Sequence, residues 1–188
     1  MPVGDCAWDR DRSSDGRAMA AQSFRLPRGA RLSDESWEAR HRILQGLLWW
    51  HVPGLLLLGV LGPRPGYEAA VLPVVIAVLA AVGRTSPSRG AREGFTSLGL
   101  IGTSFAAIQL SGGEVAVHLH LLAILVFVAL YQRWQPLLWT VAAVVVHHAA
   151  LGILQPDLVF GMHMHSVGSA LLMVAVHAGC VLLEVAGI

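Results

Sequence analysis

The sequence predicts an all-α integral membrane protein, a bundle of about six transmembrane helices with both termini in the cytoplasm. Three observations predict it. The chain of 188 residues is 55% hydrophobic and only 13% charged, where soluble domains carry about a quarter charged residues. The charge lies mostly at one end: seven of the twelve acids and eight of the thirteen basic residues precede residue 43. Beyond that point six apolar stretches alternate with short polar connections.

Residues 1–37 read as a disordered cytoplasmic tail, because Arg, Asp, Ser and Gly dominate and too little apolar surface is available to offset chain entropy. The tail has no short apolar core followed by a cleavage site, which predicts that the first span stays as an anchor. Residues 38–188 form the six-helix transmembrane domain. Ser33 is placed to cap the first helix, with Asp34 and Glu35 at the positive end of its dipole. Trp37, Arg40, His41 and Arg42 then sit at the membrane boundary.

The predicted spans are 43–62, 69–82, 95–110, 115–131, 137–154 and 167–188. The second and third fall short of the roughly 20 residues a span requires. Lipid offers the backbone no hydrogen-bond partner, so each run is expected to be helical. None shows the alternation of a membrane β-barrel. The arginines set the orientation. Arg84, Arg89, Arg92 and Arg133 share the side of the Arg-rich tail, against Arg64 alone on the other. The positive-inside rule therefore places both termini in the cytoplasm, with Glu114, Asp157 and His163-Met164-His165 outside. The expected location is the inner (plasma) membrane, crossed several times, with the lipid bilayer as the principal partner.

Several function classes are disfavoured. A net charge of +1 without a basic stripe gives no footprint for nucleic acid. Cys6 lies in the tail and Cys180 in an apolar run, so they do not suggest a disulfide framework. No internal repeat points to a transporter built of inverted halves.

The histidines carry the chemistry. Nine are present, eight of them at or beyond His51. Ionisable residues within a membrane are costly and face the protein interior or a partner. His118 and His120 fall in the outer half of the fourth span, and His147 and His148 at similar depth in the fifth, so four imidazoles share a layer. Glu114 and His118 share a helical face, as do His177 and Glu184, with Cys180 between them. His51 lies near mid-bilayer, within expected reach of His177. Imidazoles with nearby carboxylates suit copper, zinc or iron. The candidate metal ligands are therefore His51, His118, His120, His147, His148, His177 and Glu184. Haem b, held by two axial histidines, is the alternative, and a polar network or proton relay stands beside both. Angular spacing limits the site. His118 and His120 differ by about 200° around the helix and His147 and His148 by about 100°, so one member of each pair serves elsewhere. His163 and His165, in a Met-His-Met-His loop, are weaker copper ligands.

Several segments carry a family resemblance. They are Arg40-His41-Arg42-Ile43-Leu44, Leu48-Trp49-Trp50-His51-Val52-Pro53, Ser111-Gly112-Gly113-Glu114, His118-Leu119-His120, Tyr131-Gln132-Arg133-Trp134, His147-His148, and His177-Ala178-Gly179-Cys180-Val181-Leu182-Leu183-Glu184. Together they resemble the N-terminal membrane sensory module of certain bacterial methyl-accepting chemotaxis proteins, diguanylate cyclases and sensor kinases, over residues 38–186. The resemblance implies a signal-input domain whose last helix passes a state to a cytoplasmic output. It also implies a homodimer, and a sensing core of His51, His118, His120, His147, His148, His177 and Glu184. The chain reaches Ile188 without an output domain, so it is expected to be a fragment of a longer sensor or an input domain with a separate signalling partner.

The leading functional expectation is a sensor that binds a transition metal or haem. A metal or proton transporter is the alternative, as is a metal-dependent membrane oxidoreductase. Enzymatic function is less favoured, because the histidine pairs are HxH and HH, not HxxxH or HxxHH. No nucleophile elbow, Walker loop or HExxH motif occurs either.

Overall fold

The computed structural model describes residues 32–63, 66–154 and 167–187, and across them the chain is helical, with no strand. The helices are α1 (Asp34–Leu61), α2 (Tyr67–Thr85), α3 (Arg89–Leu110), α4 (Val115–Ala129), α5 (Trp134–Leu154) and α6 (Val167–Gly187). Most of the expected tail, Arg64, Asp157 and the His163-Met164-His165 loop lie outside the described residues.

Each apolar run has become a helix, and the largest differences are at the N-terminal ends. Ser33 caps α1 as its position suggests, its hydroxyl accepting from the Ser36 amide at 3.3 Å. The helix thus starts at Asp34, well before the apolar run. α3 begins at Arg89, six residues ahead of its expected start at 95. Ser88 caps it by accepting from the Ala91 amide at 3.2 Å. Hydropathy missed this turn and a half because Arg89, Arg92 and Glu93 are charged, yet they are helical and find partners within the fold.

α1, α2 and α3 pack together as a closely fitted trio, α3 also packs on α4 and α5, and α6 packs against α5. Two glycines set the closeness of the trio. A Cβ on Gly59 would lie 2.7 Å from Ala69 Cβ, and one on Gly83 would lie 2.6 Å from Thr96 Oγ1. Leu44, Leu48, Leu100, Leu125, Val128 and Tyr131 fill the centre. Gln45, Glu93, Thr96, Ser97, Thr103, Ser104, Thr140 and His148 are buried among them. The exterior is apolar as well: Leu57, Val60, Val74, Val78, Trp139, Val146 and Leu183 are all more than half exposed. α1 and α2 are long and apolar enough to cross a membrane, with 28% and 22% of their apolar windows buried. α4 is apolar but shorter, at 15 residues.

The turns follow from local chemistry. Gly112 and Gly113 have φ of +74° and +85°, a region L side chains adopt at a cost. There they fold the end of α3 back, with Gly113 N–H donating to Ile108 O at 2.9 Å. Between α4 and α5 the same role falls to Gln132, at φ 52°. Its amide donates to Ala129 O at 2.8 Å.

Candidate histidine sites

The described histidines do not gather at one point. Five of them divide among three cavities, and the members of each sequence pair separate, as their angular spacing requires.

The first cavity, of about 300 Å³, lies between α1, α3 and α4 and is lined by His51 and His120 with Thr103 and Ala107. His51 Nε2 is 2.9 Å from His120 Nε2. His51 Nδ1 is 2.7 Å from Leu47 O, and Ser104 Oγ is 2.9 Å from His120 Nδ1. The donors follow from Leu47 O, which can only accept. His51 therefore carries its proton on Nδ1 and accepts at Nε2, His120 donates from Nε2, and the Ser104 hydroxyl donates to His120 Nδ1. With both rings neutral, every nitrogen in this string is satisfied without an ion. The expected approach of His51 to His177 is replaced by this contact with His120; the His177 side chain lies outside those described.

The second cavity, of about 200 Å³, lies between α4, α5 and α6, lined by His118, His148, Val144, Val176, Cys180 and their aliphatic neighbours. The His118 and His148 ring centroids are 6.4 Å apart. His118 Nδ1 is 3.2 Å from Glu114 O and His148 Nδ1 is 2.9 Å from Val144 O. In each case a backbone carbonyl one turn earlier holds the proton on Nδ1, which leaves Nε2 as the lone-pair atom. Glu114 thus engages His118 through its main chain.

The third cavity, of about 430 Å³, lies between α2, α3 and α5 and takes His147. This ring stacks on Phe105 at 3.9 Å and 6°. Its Nδ1 is buried with no hydrogen-bond partner. Glu184, on α6, lines none of these three cavities, and its Oε2 is likewise buried and unpartnered. Among the described residues, no group of three or more His, Cys, Asp or Glu side chains is gathered closely enough to hold a metal ion.

A second polar assembly, not anticipated from the sequence, closes the opposite end of the bundle. Glu93 is 1% exposed and accepts from Trp37 Nε1 at 2.7 Å and from Arg133 at 2.6 Å. Arg89 lies 3.4 Å from the same carboxylate and reaches Asp34 at 3.2 Å. The Trp37 ring stacks on His41 at 4.8 Å, and the Arg89 and Arg92 guanidiniums lie 4.8 and 4.7 Å from its centroid. His41 Nδ1 meets Tyr131 Oη at 2.7 Å. Arg40 donates to Leu130 O, at the carbonyl end of α4, at 2.8 Å. This knot ties the start of α1 to the start of α3 and the α4–α5 turn. Its sequence signal was present but faint: Arg89 and Glu93 are four apart on one helix, and the Tyr131-Gln132-Arg133-Trp134 segment stood out without a role.

No family model matches the sequence, and no solved structure matches it. The chain is 26% identical over 186 residues to "Transducer protein Htr8" of Halobacterium salinarum (strain ATCC 29341 / DSM 671 / R1). The alignment covers 91% of this chain but 29% of that protein, so the chain spans less than a third of its relative's length. Across nearly its whole extent, the chain is similar to part of a transducer protein.

Proposed function

We propose that this chain is the membrane-embedded input domain of a signal-transducing sensor, and that its stimulus acts through a transition-metal ion held between α4, α5 and α6. The similarity to a transducer protein supports the sensory role. The broadly apolar exterior supports a membrane setting, because a water-facing surface would not carry this many exposed leucines and valines. Six spans, cytoplasmic termini and a tail over residues 1–37 belong to this reading. So do a homodimer and a cytoplasmic signalling partner.

One observation carries the site: His118 and His148, from different helices, face one cavity with their protons fixed on Nδ1 by Glu114 O and Val144 O. That tautomer makes Nε2 the lone-pair atom of each ring, and Cys180 from α6 adds a thiol to the cavity wall. Two imidazoles are a donor pair for copper or zinc, with iron a weaker match, and completing the site with Cys180 requires the cavity to contract. The cavity is smaller than the roughly 300–1,000 Å³ of sites for larger ligands, which favours a bare ion over haem b. When bound, such an ion supplies directional bonds joining two helices. The protein's part is to aim the two imidazoles and to keep the surroundings aliphatic through Leu121, Leu122, Val144 and Val181. Val176, Cys180 and Val181 belong to α6, so any inward movement of His118 and His148 repacks the last helix directly. His51 and His120 brace α1 against α4 in this reading, and His147 belongs to a separate groove. His177 and Glu184 stand on α6 as candidates for coupling the site to the output.

The test is elemental mass spectrometry of protein purified in mild detergent without chelators. The expected result is about one equivalent of copper or zinc, lost in His148→Ala and in His118→Ala and kept in His120→Ala. Metal-free wild-type protein that takes up no added copper, zinc or iron would sink the proposal. So would metal retained by both of the first two variants.

A further inference from the structure

The groove between α2, α3 and α5 has no part in that reading, and its chemistry is distinct. It is bounded by apolar side chains, among them Ile76, Val75 and Phe105, and besides the exposed Tyr67 at its rim it has polar side chains at two places. At the end near the α3 C-terminus, Gln109 Nε2 donates to Glu68 Oε2 at 3.3 Å. One turn along α3, about 6 Å away, His147 lies flat on Phe105 with its Nδ1 buried and unpartnered. Gly102 lets this wall stay shallow, since a Cβ there would meet Ile76 Cδ1 at 3.0 Å.

We propose that this groove binds a quinone-type molecule, a flat ring bearing oxygens on opposite sides and an apolar tail, drawn from the surrounding lipid. The volume of about 430 Å³ falls in the range of small-molecule sites. A stacked Phe105–His147 pair offers a planar apolar face to a planar ring. An alkyl chain would fill the groove but leave His147 Nδ1 unsatisfied, at a cost general for buried polar atoms. An oxygen on the ring meets that atom once the imidazole turns its Nδ1 edge toward the groove, and Gln109 retains a second amide N–H for the opposite oxygen. The imidazole also suits both redox forms of such a ligand. Its Nδ1 donates to a carbonyl in one tautomer and accepts from a hydroxyl in the other. Val71 and Val75 stand half-exposed on the outer wall, so the groove opens sideways from the bundle, where a lipid-dissolved ligand arrives.

The experiment is calorimetric titration of detergent-purified protein with decyl-benzoquinone, with decylbenzene as the control lacking oxygens. The expected result is saturable binding of about one equivalent, with decylbenzene at least tenfold weaker. His147→Phe keeps the stacked ring and removes the nitrogen. Val75→Trp closes the mouth from an exposed position that the fold tolerates. Each is expected to weaken the quinone at least tenfold while leaving metal content unchanged. Three outcomes would overturn the proposal: no saturable binding, equal affinity for quinone and decylbenzene, or an affinity that neither variant alters.

Discussion

Glu93 has two arginines and an indole N–H as partners, and they are not equivalent. The carboxylate is 1% exposed while Arg133 and Arg89 are 41% and 34% exposed. Only the acid is held away from water, and an arginine released from it can turn outward. Removing Arg133 leaves a desolvated carboxylate short of charge, whereas neutralising Glu93 leaves two cations close to solvent. Arg133→Ala is therefore expected to cost about 2–3 kcal/mol, below the full value for a wholly buried pair. Glu93→Gln, which keeps an acceptor for Trp37, should cost about 1 kcal/mol. Thermal unfolding in one detergent checks the order, and a larger loss in Glu93→Gln would refute it. Tyr131→Phe removes the hydroxyl that meets His41 Nδ1 at 2.7 Å in a site with no access to water. It should lower stability by about 1–2 kcal/mol, measured in the same way.

At the scale of helices, the trio α1–α2–α3 has little room for adjustment. Gly83 abuts not only Thr96 Oγ1 but Thr96 N, 3.1 Å from an added Cβ, and backbone cannot swing aside as a side-chain end can. Gly83→Ala should destabilise the protein by about 1–3 kcal/mol, with the loss read from the same unfolding curves. α6 stands at the other extreme, packed on α5 with Leu171, Leu172, Leu182 and Leu183 facing outward. Its amides are expected to exchange with solvent deuterium faster than those of α3; equal protection would show that α6 is as firmly held as the trio. The order of these helices was legible in the apolar runs, and the α1 start in Ser33-Asp34-Glu35. The first turns of α3 were not, because a hydropathy window treats Arg89, Arg92 and Glu93 as the end of a helix. Pairing partners such as Glu93 with Arg133 depend on which helices adjoin. For the histidines, angular spacing said that each pair must diverge. It did not say that His120 would find His51 and His118 would find His148, since that depends on the positions of α1 and α5.

Over the whole molecule, α1 is the measure of how the bundle sits. Its 28 residues extend about 42 Å, beyond a hydrocarbon layer of roughly 30 Å. In the proposed orientation the excess lies at the Asp34 end, so Trp37, His41 and the arginines around Glu93 occupy the headgroup zone on the cytoplasmic side. Cysteine labelling in spheroplasts, with Cys6 and Cys180 replaced by Ser, tests this directly. A membrane-impermeant maleimide should label Glu114→Cys in intact spheroplasts and reach Pro87→Cys only after lysis. The reverse pattern would invert the orientation, and equal labelling of both would argue against a spanning bundle.

The string from Ser104 through His120 and His51 to Leu47 O has a fixed sense. Proton hopping along imidazoles needs each ring to receive on one nitrogen and release from the other, and then needs somewhere for the last proton to go. A peptide carbonyl holds no proton to pass on and binds an extra one only very weakly. The string is thus a cul-de-sac for protons, blocked at its α1 end. Among the described histidines, the most fully connected row is wired as a brace and not as a conduit.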